Sequence, residues 1–146
     1  MKFSALVSTL LALGFSAGAL AASASLSYDQ TYDNSAGSLS TTACSDGSNG
    51  LASSYPTFGD LPKFPYIGGA QAIAGWNSAY CGTCWQLTYT DDKGESTSIN
   101  VLAVDVAKDG FNIALAAMNA LTNNLATQLG RITIDSSQVN VSICGL

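Results

Sequence analysis

The groups able to do chemistry in this chain are few: four cysteines, ten carboxylates, five basic side chains and no histidine. Residues 81–85 read Cys-Gly-Thr-Cys-Trp. A C-x-x-C pair serves as a redox couple, as half of a zinc site, or as two unrelated disulfide halves. Zinc prefers a second close pair of Cys or His, which the sequence lacks, so no metal site is expected. A thioredoxin-like couple belongs in a βαβ pattern, yet the residues that follow, Trp85-Gln86-Leu87-Thr88-Tyr89, alternate as a strand does. Along an extended segment Cys81 and Cys84 point to opposite faces, which predicts different partners for them. Pairing each with Cys44 or Cys144 would tie both ends of the domain to its centre.

Without histidine, the carboxylates are the candidates for general acid or base work, and glycoside cleavage needs two of them flanking the bond. Asp91, Asp92 and Glu95 fall in a turn and read as solvated, while Asp46 and Asp60 lie in loops where turn-forming roles are expected. Asp105 differs, because it closes an apolar strand and is partly desolvated there. It suits either chemistry or the acceptance of bonds from loop N–H groups. Trp76, among Gly75, Asn77 and Ser78, offers a face for stacking on a sugar ring, whereas Trp85 alternates with Leu87 and Tyr89 and is expected in the core. Asn140-Val141-Ser142 is an N-glycosylation sequon, but its place in a predicted strand beside Cys144 argues against its use.

These residues need elements to position them. Trp85–Tyr89 and 98–106 read as a hairpin around Asp91–Glu95, with the second strand apolar on both faces and therefore central. Further extended segments are expected at 26–32, 38–43, 131–135 and 139–144. A helix is expected over 111–121, with Asn112 as its N-cap and Ile113, Ala116, Ala117, Ala120 and Leu121 on its buried face. A helical turn follows over 125–129, closed by Gly130. Short strands, turn-rich loops and one or two helices suggest a small closed barrel with the helices outside it.

The apolar run from Phe3 to Leu20 behind Met1-Lys2, ending in Ala19-Leu20-Ala21, reads as an export signal spanning 1–21, with a domain over 22–146. Loss of Lys2 leaves ten acids against four bases, a net charge of −6. Four scattered bases make no basic patch, which sets aside nucleic acid and anionic membrane as partners. Export also places the cysteines in an oxidising compartment, where two disulfides are the default.

Taken in order, Ser27-Tyr28-Asp29, Cys44-Ser45-Asp46-Gly47, Phe64-Pro65-Tyr66-Ile67-Gly68-Gly69, Gly75-Trp76-Asn77-Ser78, Cys81-Gly82-Thr83-Cys84-Trp85, Val101-Leu102-Ala103-Val104-Asp105 and Gly110-Phe111-Asn112-Ile113 resemble the cerato-platanins across nearly the whole mature chain. The resemblance implies a six-stranded double-psi β-barrel with disulfides Cys44–Cys81 and Cys84–Cys144. It also implies a secreted fungal cell-wall protein, monomeric in dilute solution and without cofactor or catalytic residue. Such a protein binds chitin (N-acetylglucosamine) oligomers or other cell-wall oligosaccharides in a shallow groove, loosens polysaccharide as expansins do, and elicits host defence through a receptor. The groove aspartate and asparagine of the family match Asp105 and Asn112, and Trp76 joins them as a candidate sugar contact. Two alternatives stand beside this reading: a weak polysaccharide hydrolase using Asp105, and a surface-active protein that assembles at interfaces.

Overall fold

The computed structural model describes residues 20–146. Residues 1–19 of the expected export signal lie outside it. Six strands close into a barrel in the order β1-β5-β2-β4-β3-β6, where β1 is Ala22–Tyr28, β2 Ile67–Ala70, β3 Cys84–Thr90, β4 Ser96–Val106, β5 Phe111–Ile113 and β6 Arg131–Val139. β1 pairs with β5 and β2 with β4 in parallel, and every other neighbour is antiparallel. Closure leaves no free sheet edge for another chain to pair with.

The hairpin is the best-read part of the sequence. β3 and β4 pair from Cys84↔Leu102 to Thr90↔Ser96, and Asp91 closes the turn by accepting from the backbone N–H of Lys93 and of Glu95. β4 also pairs with β2, so Val101, Leu102, Ala103 and Val104 are buried as the two-faced apolar pattern requires. Leu87 of β3 and Leu26, Ile67, Ile113 and Leu121 from other elements complete the same core.

Four expectations are corrected. Residues 111–113 form β5 rather than helix, and α1 spans Leu115–Leu121, so Asn112 is a strand residue and Ala114 takes the N-cap position. The helix buries Ala117, Met118 and Leu121, while Ala116 and Ala120 face outward. Residues 38–43 are not a strand; only Ser38 bridges to Thr57 before a 3-10 turn at Leu39–Thr41. The two strands expected at 131–135 and 139–144 are instead the single strand β6, which pairs with β3 as far as Val139 and is followed by a 3-10 turn at Val141–Cys144. β1 also stops at Tyr28, and Gln30–Asp33 is a 3-10 turn. The short helix α2, Ala126–Leu129, ends at Gly130 as read.

Both disulfides join the expected partners, Cys44 to Cys81 and Cys84 to Cys144. The face argument reached the right separation from a wrong premise. Only Cys84 is in a strand, whereas Cys81 sits in a turn whose Cys81 N–H donates to the Ser78 carbonyl and whose Gly82 has φ of 76°. Among the described residues no helix is long and apolar enough to cross a membrane.

Candidate functional site

The barrel's cross-strand register brings Asp105 and Asn112, two of the three expected site residues, into one row. Gly69 on β2 is paired on one side with Asp105 of β4 and on the other with Asn112 of β5, and Asn112 is paired in turn with Ser27 of β1. The register of β2 against β4 shifts between Gly68 and Gly69, which sets Gly69 opposite Asp105, so Asp105, Gly69, Asn112 and Ser27 are successive neighbours in one row across four strands, about 14 Å long at the usual strand spacing. Gly69 is buried while the three polar residues are half-buried, which makes the row a furrow of partly exposed polar side chains interrupted by a buried glycine. A Cβ at Gly69 would stand 2.6 Å from the Val106 carbonyl oxygen, so backbone already fills the space beside the glycine and no larger residue fits there without displacing it. Ser27 donates its hydroxyl to Asn112 Oδ1 at 2.9 Å, leaving the Asn112 amide nitrogen to face solvent or a ligand. The side-chain capping expected of Asn112 is supplied by Asp33, while Ala114 occupies the N-cap position. The two Asp33 carboxylate oxygens accept from the N–H groups of Leu115 and Ala116 at 2.8 and 2.9 Å. Asp33 was missed because nothing local marks a cap that comes from more than eighty residues away.

Asp105 sits at the end of the furrow with both oxygens engaged. Oδ1 accepts from the backbone N–H groups of Ala43 and Val106 at 2.9 and 2.8 Å, and Oδ2 accepts from the Tyr32 hydroxyl at 3.0 Å. The reading of Asp105 as an acceptor for loop N–H groups is therefore what the geometry contains. None of its partners is a second carboxyl group. Tyr32 is 6% exposed. Burial first, then the neighbouring Asp105 charge and its hydrogen bond, hold the Tyr32 phenol well above the ordinary tyrosine range. A phenol that keeps its proton more tightly when folded contributes stability that is complete below pH ~10, its unfolded value, and lost as pH rises through the folded value. Spectrophotometric titration should accordingly find one tyrosine that stays un-ionised until the chain unfolds, with stability declining above pH ~10. Tyr32→Phe should remove that late step.

Ala43 links this end of the furrow to Trp76. Its carbonyl accepts from the Asn77 N–H, and Asn77 in turn accepts from the Asn49 N–H through Oδ1 at 2.8 Å and from the Asn49 side chain through its carbonyl. The Cys44–Cys81 bond clamps the same two loops. Trp76 stands on this frame 63% exposed, with its indole N–H held by Asp46 Oδ1 at 2.6 Å. Asp46 thus does more than form a turn, since it fixes the orientation of an exposed ring. No hydrogen bond joins Trp76 to Asn112 among the described residues. Trp85, expected in the core, is instead half-buried at the core's edge, where it packs edge-on against Phe111 with centroids 5.5 Å apart and donates its indole N–H to the Thr83 hydroxyl. Asp60 is a turn residue as read. Its carboxylate accepts from the Thr57 hydroxyl and the Thr57 N–H, which lower its pKa in that order.

Two concavities, of about 400 and 690 Å³, lie elsewhere: one at the barrel mouth over Trp85 and Phe111, the other between the β3–β4 turn and the α1–α2 segment. Neither includes Asp105, Asn112 or Trp76.

Residues 24–146 match the Cerato-platanin family. The chain belongs to the cerato-platanin family. It is 47% identical over 120 residues to Allergen Asp f 15 of Aspergillus fumigatus, covering 82% of this chain and 76% of that protein. The crystal structure of cerato-platanin 2 from M. perniciosa superposes with a TM-score of 0.82 at 49% identity, covering 86% of this chain and all of the other. The solution structure of the fungal elicitor Cerato-Platanin superposes with a TM-score of 0.72 at 40% identity, covering 82% of this chain and 95% of that one. The barrel and paired cysteines of this chain have the architecture expected of a cerato-platanin.

Proposed function

We propose that this cerato-platanin is a secreted, non-catalytic cell-wall protein that holds a chitin oligomer or a related cell-wall oligosaccharide along the furrow. The observation that carries the reading is the registered row of Asp105, Gly69, Asn112 and Ser27, in which three half-buried polar side chains lie on neighbouring strands. Asn112 and Ser27 supply donors and acceptors to sugar hydroxyl and acetamido groups. Trp76, exposed and oriented by Asp46, supplies an aromatic face for a pyranose ring. Contacts of this kind exchange a polysaccharide's chain-to-chain hydrogen bonds for bonds to protein, which loosens the polymer without cutting it.

Cleavage would need a protonated carboxyl group and a second, ionised one across the bond. Asp105 is the furrow's acid, and its oxygens are committed to Tyr32, Ala43 and Val106. An open surface that binds substrate without distorting it toward a transition state does not lower the barrier. Recognition by a host receptor, the basis of elicitor action, proceeds from the same exposed and covalently braced surface.

Calorimetric titration with chitin oligomers tests the reading. Asn112→Ala and Trp76→Ala should each weaken binding about tenfold, the equivalent of one well-placed contact, while Tm changes little because both side chains reach solvent. Wild-type affinity in both variants, or sustained release of reducing ends by the purified protein, would overturn it.

A further inference from the structure

We infer that Asn140 is an N-glycan acceptor. Asn140-Val141-Ser142 is the only N-x-Ser/Thr sequon among the nine asparagines of the sequence. Its expected place inside a strand argued against modification, because a paired strand must open before an enzyme can reach the amide. The structure removes that objection. The pairing of β6 with β3 ends at Val139, and Asn140 is an exposed residue that caps the following 3-10 turn. Its Oδ1 accepts from the Ser142 N–H at 3.0 Å, which fixes the side chain. Among the described residues Asn140 Nδ2 donates to nothing, and the exposed Ser142 hydroxyl makes no hydrogen bond. The two groups that a glycosyl transfer must engage, the amide nitrogen and the hydroxyl two residues on, are therefore both free and outward-facing. Cys144 is buried four residues later, yet the Cys84–Cys144 bond leaves Asn140 on the surface, so the acceptor stays reachable after that bond closes.

The donor is a lipid-pyrophosphate-linked oligosaccharide of the secretory pathway. Nδ2 forms a bond to the anomeric carbon of the first sugar as the sugar–phosphate bond breaks. The lipid pyrophosphate leaves with the bonding electron pair, and the amide nitrogen gives up one proton to the transferring enzyme's base. No oxidant or reductant is involved. The resulting glycan projects away from the barrel and displaces no hydrogen bond of the fold.

The test is a peptide map of the full chain recovered from the medium of a secreting yeast, before and after peptide-N-glycosidase. The expected result is a heavier population carrying hexosamine-rooted glycan at Asn140, which the glycosidase collapses while leaving aspartate at that position. Ser142→Ala should abolish the heavier population without lowering Tm, because the Ser142 N–H that Asn140 caps is retained. Ser142→Thr should preserve it. Secreted, disulfide-complete protein carrying only unmodified Asn140 in both wild type and Ser142→Thr would overturn the inference. So would a heavier population that resists the glycosidase and persists in Ser142→Ala.

Discussion

Cys84→Ala/Cys144→Ala should lower the unfolding free energy by about 4 kcal/mol, the loop-entropy value for a closure of this length. The two half-cystines are 60 residues apart and both are buried. Against a typical domain stability of about 5–15 kcal/mol, this is a large fraction, and it should appear as a fall in Tm on the order of 15 °C. The direct measurement is guanidinium denaturation of both proteins, read by the tryptophan signal. The 3-10 turn at Val141–Cys144 should lose amide protection first, because beyond Val139 it has no strand pairing to fall back on. A loss under about 1 kcal/mol would mean that the packing of residues 141–146 against the barrel, rather than the covalent bond, holds this segment. Replacing Cys44 and Cys81, which are 37 residues apart, should cost slightly less, since closure entropy grows only with the logarithm of loop length.

Asp105→Ala should cost about 3 kcal/mol, the range for leaving buried donors without a charged acceptor. The substitution strips partners from the Tyr32 hydroxyl and from the Ala43 N–H, and it does so where Tyr32 is nearly sealed from water. Asp105→Asn keeps an oxygen for the N–H groups of Ala43 and Val106 and presents an amide to a hydroxyl that can turn to accept, so its cost should be nearer ~1 kcal/mol. Tyr32→Phe removes one donor and its need for a partner together. In that background Asp105→Ala should therefore cost less than in wild type, and a double-mutant cycle by urea denaturation isolates the difference. Equal costs for Asp105→Ala in the two backgrounds would show that the Tyr32 bond carries no stability. Asp105→Asn also separates the carboxylate's two roles. If it weakens oligomer binding while stability is nearly kept, the charge is used by the ligand; if binding is retained, Asp105 serves only to hold the 3-10 turns around Tyr32 and Ala43 in place.

Much of this protein is determined by local sequence. Alternation fixed β3, two-faced apolarity placed β4 at the centre of the sheet, and the run Asp91–Glu95 closed the turn between them, because each depends on neighbours along the chain. The ordered set of short motifs, more than any one of them, carried the family and with it the barrel and the disulfide pairing. Local pattern failed at β2 and β5, strands of four and three residues whose stability comes from pairing on both sides. Ile67-Gly68-Gly69-Ala70 has no alternation to read, since all four residues are buried. Phe111-Asn112-Ile113 continues the apolar spacing of α1 and looks helical until Gly110, at φ of 59° with the Ser25 backbone against it, turns the chain into the sheet beside β1. The site divides in the same way. Residue type singled out Asp105, Asn112 and Trp76, but the contacts that define them come from afar: Tyr32 and Ala43 for Asp105, Ser27 for Asn112, Asp46 for Trp76. Those partners lie 30 to 85 positions away in the chain. Strand register, a property of the whole sheet, brings Ser27 to Asn112, whereas Tyr32, Ala43 and Asp46 reach their partners from turns and loops packed outside the barrel and braced by Cys44–Cys81, which no single segment specifies.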